Sequence, residues 1–103
     1  MQKELELYEI FYLVKPTFSE QELKQKVDSY KDLLIQLGSQ VMVQNRGKRS
    51  LSYSIKNHET ANYIQMIYVG NQKLTTTLKQ EIKRDESIIR HLITKVPDLP
   101  VLV

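Results

Sequence analysis

Few of the 103 residues carry the side-chain chemistry of a catalyst. Cysteine is absent, which removes thiolate nucleophiles, disulfides and sulfur-ligated zinc together and fits a reducing compartment. The two histidines, His58 and His91, have no histidine or cysteine neighbour at metal-ligand spacing, so they read as surface imidazoles and no metal or other cofactor is expected. Neither a glycine-rich phosphate loop nor a serine in a nucleophile elbow occurs. The adjacent acids Asp85 and Glu86 fall at a helix-to-strand turn, where solvated charge is the ordinary explanation. The chain therefore reads as a binding protein and not as an enzyme. Its chemistry is cationic: Arg46-Gly47-Lys48-Arg49, then Lys56, in a window from Asp32 to Glu59 with no carboxylate between. Flexible cations beside exposed tyrosines bind phosphates and pack on sugar or base surfaces. Cations on an edge strand also discourage edge-to-edge pairing, and both readings apply to this window.

The elements that would position these cations follow from composition and periodicity. A hydrophobic share of 41% and a charged share of 26% are those of a globule, and the length suits one domain. No apolar stretch approaches the roughly 20 residues that cross a bilayer. The N-terminal run Met1-Gln2-Lys3-Glu4-Leu5-Glu6 is acidic, unlike a signal or transit peptide. Net charge is only +3, but seven acids lie between Glu4 and Asp32, so charge is segregated along the chain.

Leu7 to Val14 is rich in aromatic and branched residues and stops at Lys15-Pro16, a strand with a firm end. Ile10, Tyr12 and Val14 share one side and Phe11 and Leu13 the other, so this strand should be central. Ser19 and Glu22 form a capping box, with Phe18 placed to staple on Leu23. The stripe Leu23, Val27, Tyr30, Leu34, Leu37 then predicts a helix that Gly38 ends. Val41-Met42-Val43 resumes as strand, bends near Asn45-Arg46-Gly47 and returns as Leu51 to Ile55, one long bent strand. Lys56 to Thr60 is polar turn material, and Tyr63 to Val69 is the hairpin partner, with Ile64, Met66 and Tyr68 opposed to Tyr63, Ile67 and Val69. Asn71 is placed as an N-cap for a second helix carrying Leu74, Leu78 and Ile82, weakened by Thr75-Thr76-Thr77. Ile88 to Val96 is the last strand, closed by Pro97 and Pro100.

The order strand, helix, strand, strand, helix, strand predicts an α+β ferredoxin-like sandwich: a four-stranded antiparallel sheet with both helices on one face. Residues 1–96 form the single domain and 97–103 a short irregular tail. The uncovered sheet face would carry Phe11, Leu13, Tyr63 and Ile67, with no third layer to cover them, and is expected to be a protein-partner face. Acylphosphatase-like enzymes share this element order, but their anion-binding loop needs an arginine after the first strand, and Lys15-Pro16-Thr17-Phe18 has neither Arg nor Gly. An RNA-recognition motif places its basic and aromatic box in the third strand, whereas here the cations lie in the second.

The stretch Gly47-Lys48-Arg49-Ser50-Leu51-Ser52-Tyr53-Ser54-Ile55-Lys56 resembles the signature of the bacterial-type small-subunit ribosomal protein six family, with Ser54 where a proline is common. Tyr8 to Pro16 is similar to that family's first strand, and Asp85 to Arg90 to its last turn and strand, so the likeness runs from about Tyr8 to Lys95. The resemblance implies a non-catalytic structural role, binding the central domain of small-subunit ribosomal RNA in the platform as a pair with ribosomal protein eighteen. On that reading Arg46, Lys48, Arg49, Lys56, Arg90 and Lys95 contact RNA phosphates. The alternative from another class is a regulatory module of the same fold that dimerises through its sheet and binds a small metabolite. Sparse Ala and Gly with abundant Lys, Ile, Asn and Tyr suggest an A+T-rich genome, which suits a plastid stroma or a bacterial cytoplasm.

The capping box gives a first test: Ser19→Ala should lower stability by about 0.5–2 kcal/mol in urea unfolding and change RNA affinity only through the folded fraction. Intact stability with reduced affinity would make Ser19 a contact residue instead.

Overall fold

The computed structural model describes residues 5–96, and the predicted tail 97–103, with its closing prolines, lies outside the described residues. Six elements follow one another: β1 (Glu6–Val14), α1 (Glu20–Gln36), β2 (Val41–Ile55), β3 (His58–Gly70), α2 (Gln72–Arg84) and β4 (Ile88–Val96). The sheet order is β2-β3-β1-β4 with every pairing antiparallel, so the two strands that are apolar on both sides are the central ones, as predicted.

Both helices pack on one face. Ile10, Tyr12 and Val14 of β1 and Ile64, Met66 and Tyr68 of β3 are fully buried against Leu23, Val27, Tyr30 and Leu34 of α1 and Leu78 and Ile82 of α2. Burying side chains of this size is worth ~1.5–3 kcal/mol each, which makes this layer the main source of stability. The tyrosines lock the layer geometrically: Tyr8 stacks on Tyr68 with centroids 5.4 Å apart, and Tyr12 meets Tyr30 edge-on at 5.7 Å.

The local signals act as their chemistry requires. The Ser19 hydroxyl accepts from the Glu22 amide and Glu22 accepts from the Ser19 amide, closing the capping box, and Phe18 packs against the core cluster that contains Leu23. Asn71 caps α2 by accepting from the Leu74 amide. The three threonines are accommodated by hydrogen bonds. Thr76 and Thr77 donate back to the carbonyls of Gln72 and Lys73, and Thr75 shares a buried 2.9 Å bond with the Tyr68 hydroxyl.

Three details differ from the sequence reading. Leu37 does not complete the apolar stripe: it is the C-cap residue, 44% exposed, and Gly38 at φ +92° turns the chain away. The hairpin turn is only Lys56-Asn57, both in left-handed conformation, so His58, Glu59 and Thr60 already belong to β3. Cross-strand pairing of Ser50 with Thr60 and Ile55 with His58 overrides their low strand propensity. Asp85 is not a solvated turn charge. Its carboxylate accepts from the Tyr30 hydroxyl at 2.6 Å, the Lys26 ammonium at 2.8 Å, and the hydroxyl and amide of Ser87 at 2.6 and 2.9 Å. It thereby ties α1 to the turn between α2 and β4.

Burial pushes the Asp85 carboxyl upward, but donation from Lys26, Ser87 and Tyr30 outweighs burial and holds it at about 2. A depressed carboxyl stabilises the fold above its unfolded value and ceases to do so as pH falls through its folded value. The melting-temperature advantage of wild type over Asp85→Asn should therefore be constant above about pH 5 and close between about pH 4 and 2. An advantage that does not vary with pH would show that Asp85 acts by shape alone.

Candidate nucleic-acid interface

The open side of the sheet is organised by an irregularity in β2. The pairing of β2 with β3 shifts between Asn45 and Gly47, leaving Arg46 as the extra residue of a bulge. Gly47 supports it at φ +88°, where its amide donates to the Asn45 side chain at 2.8 Å. Arg46, Lys48 and Arg49 are all exposed on this bend.

Each cation is steered by a neutral acceptor. Arg46 donates through Nε and Nη2 to Gln65 Oε1 at 2.9 and 2.7 Å, and Gln65 in turn donates to Glu9 at 2.6 Å. Lys48 reaches the Pro16 carbonyl at 3.2 Å. Arg49 donates to the Arg46 carbonyl at 3.3 Å and lies 5.7 Å over the Tyr63 ring. Arg90, on the far edge strand, donates to the Tyr53 hydroxyl at 3.3 Å. Among the described residues the ion pairs are Lys26–Asp85, Arg84–Glu81 and Lys95–Glu6, so Arg46, Lys48, Arg49, Lys56 and Arg90 keep their charge without a carboxylate at contact.

The six predicted cations do not form one patch. Arg46, Lys48 and Arg49 share the bulge, Lys56 sits in the hairpin turn, and Arg90 joins them through Tyr53 at the same end of the sheet. Lys95 lies opposite Tyr8 near the other end and is engaged with Glu6 at 2.8 Å, a contact that raises its pKa.

The expected partner face is also divided. Phe11 and Ile67 remain half-buried on the open side, where the register adds Leu92 beside Phe11 and Met42 beside Ile67, 60% and 66% exposed. The sequence reading omitted both, although the apolar residue of each alternates with a neighbouring helix-side pair. Leu13 is a correction: it is 9% exposed, because the β2–β3 hairpin overhangs the sheet and Leu51 and Ile55 pack with Leu13, Ala61 and Ile89 as a second small core. Tyr63 packs against the same cluster. Gln65, 8% exposed, carries the Arg46–Gln65–Glu9 chain across the middle of this face, so the face is not uniformly apolar.

Among the described residues no group of three His, Cys, Asp or Glu side chains could hold a metal ion, and no helix is long and apolar enough to cross a membrane. Burial and the nearby Lys79 and Lys83 keep the His91 imidazole below its usual pKa. A cleft of about 790 Å³ between α1 and the end of α2 is lined by the Asp85 cluster and its charged neighbours.

The model of one family, ribosomal protein S6, matches residues 7–95. The chain belongs to that family. Its members are ribosomal proteins and not enzymes. A small ribosomal subunit protein bS6c of Guillardia theta is 41% identical over 93 residues, covering 89% of this chain and 97% of that one. The bS6c protein of Porphyra purpurea is 38% identical over 88% of this chain and 82% of its own. A bS6 protein of Synechococcus sp. strain RCC307 is 36% identical over 85% of this chain and 66% of its own. The crystal structure of 30S ribosomal protein S6 from Thermotoga maritima superimposes with a TM-score of 0.85, covering 90% of this chain and 89% of that one at 19% identity, which shows a common fold. The family match thus spans the bulge, the hairpin and β4 up to Lys95.

Gly47→Ala tests whether the bulge places the cations. A Cβ there meets nothing within 4 Å, so the cost is purely conformational, about 1–2 kcal/mol for a left-handed residue. Urea unfolding should show that loss together with weakened RNA binding, and unchanged stability would mean that the bulge relaxes freely.

Proposed function

We propose that the chain is a structural component of the small ribosomal subunit that binds the central domain of small-subunit ribosomal RNA in the platform, paired with ribosomal protein eighteen. The observation that carries this reading is the exposed bend of Arg46, Lys48 and Arg49, whose hydrogen bonds all end on neutral acceptors. A cation already held by a carboxylate gains less from a phosphate, because it must exchange one anion for another. By that criterion Lys56 and Arg90 complete the RNA-facing set, and Lys95 is a lesser contributor. The sheet face of Phe11 and Ile67, widened by Met42 and Leu92, takes the protein partner, with Tyr63 at its margin. The plastid and cyanobacterial origins of the similar proteins support a plastid stroma or a bacterial cytoplasm as the place of work.

Phosphates are read as charge, so Lys48→Gln with Arg49→Gln should weaken binding across RNA sequences and flatten the log–log salt dependence by roughly 0.7–0.9 per lost contact. Anisotropy titrations of both proteins against a central-domain RNA fragment, with ribosomal protein eighteen present and over a salt series, measure this. Identical slopes would return these residues to protecting an edge strand.

A further inference from the structure

Where the hairpin overhangs the open face it leaves a pocket of about 210 Å³. Leu13, Leu51 and Ile55, which pack in one apolar cluster, line it together with Ser52, Tyr53, Tyr63 and Arg90. We propose that this pocket takes the base of one unstacked ribonucleotide. The inference deepens the RNA-binding reading above and rests on it.

Tyr53 is the first argument. An aromatic ring 63% exposed on a small domain forfeits burial, yet it is held in place by the Arg90 guanidinium on its hydroxyl. Tyr63 is treated alike, with the Arg49 guanidinium over its ring. Each aromatic side of the pocket therefore has an arginine bound to it, and no carboxylate lines the cavity. A nucleobase is a planar ring with apolar faces and polar edges, tethered to a phosphate. Apolar side chains beside two tyrosines, with Arg90 in the lining and Arg49 on the Tyr63 ring, are complementary to each of those parts.

Size and access select the occupant further. The volume lies below the ~300–1,000 Å³ of sites for drug-sized ligands, on the scale of a single ring system. A base within a duplex cannot enter, since its faces are covered by its neighbours, so the pocket selects a looped-out or single-stranded nucleotide. The cations of the bulge then meet the flanking phosphates, which joins shape recognition to charge at one end of the sheet.

The test uses the full chain with ribosomal protein eighteen and a central-domain fragment of small-subunit ribosomal RNA. Tyr53→Leu should weaken binding roughly 5- to 150-fold, as the loss of one stacked base does, and leave the salt slope unchanged. Tyr53→Phe should retain most of the affinity, because it keeps the ring. In irradiated 5-bromouridine-substituted RNA, a crosslink should form at Tyr53 or Tyr63 and map to an unpaired position. The unaltered melting temperature expected of an exposed site separates binding from folding. Equal affinity of Tyr53→Leu and wild type would overturn the pocket and leave the RNA-binding reading standing. A flattened salt slope would overturn it too, showing that Tyr53 merely positions Arg90. Weakened binding to ribosomal protein eighteen without RNA would give the pocket to a protein side chain. Failure of wild type to bind the fragment at all would remove the broader reading and the pocket with it.

Discussion

Two central strands that are apolar on both sides, with two helices among the described residues, impose the condition on which this structure depends. The helices cover the face of Ile10, Tyr12, Val14, Ile64, Met66 and Tyr68, and among the described residues none forms a third layer. The opposite face is then closed by some other part of the chain or left open. The closure is partial: the overhanging hairpin folds over one end, where Leu13, Ala61 and Ile89 are buried, and the remainder stays open around Phe11, Ile67, Met42 and Leu92. A fold stabilised on one face can leave the other to binding without a large loss of stability.

The bulge of β2 gives an edge strand an exposed cationic bend. A regular strand would alternate its cations between the two faces of the sheet. One extra residue changes that register from Gly47 onward, so Arg49 comes over Tyr63 on the open side, where Arg46 reaches Gln65 on the neighbouring strand. The interruption also makes this edge irregular, which discourages pairing with another chain, so edge protection and phosphate contact are compatible uses of the same residues. The Asp85 cluster does the corresponding work on the helix side, fixing α1 against the turn that launches β4 and hence the strand that carries Arg90.

Much of this was legible in the sequence because it depends on near neighbours. The capping box at Ser19 and Glu22, the cap at Asn71, the left-handed Gly38, the six elements and the helix-facing residues of the central strands are set by spacings of two, three and four residues, and hydrophobic alternation by itself identifies the central strands. The family likeness was legible for a related reason: the run from Gly47 to Lys56 is contiguous.

What only the tertiary structure decided involves partners far apart in the chain. Nothing local to Asp85 shows that Tyr30, 55 residues earlier, donates to it. Nor does the alternation of β1 show that Leu13 is covered by a hairpin some forty residues on, because sheet curvature and overhang are not encoded in any one strand. The same holds for charge. Arg90 and Lys95 look alike on one strand, but the antiparallel register brings Lys95 to Glu6 and Arg90 to Tyr53, leaving one cation neutralised and the other free. Sequence settles which residues are cationic and which faces are apolar, since those are properties of single side chains and short periods. Which cation stays unpaired, and which apolar residue stays uncovered, is a property of distances across the sheet.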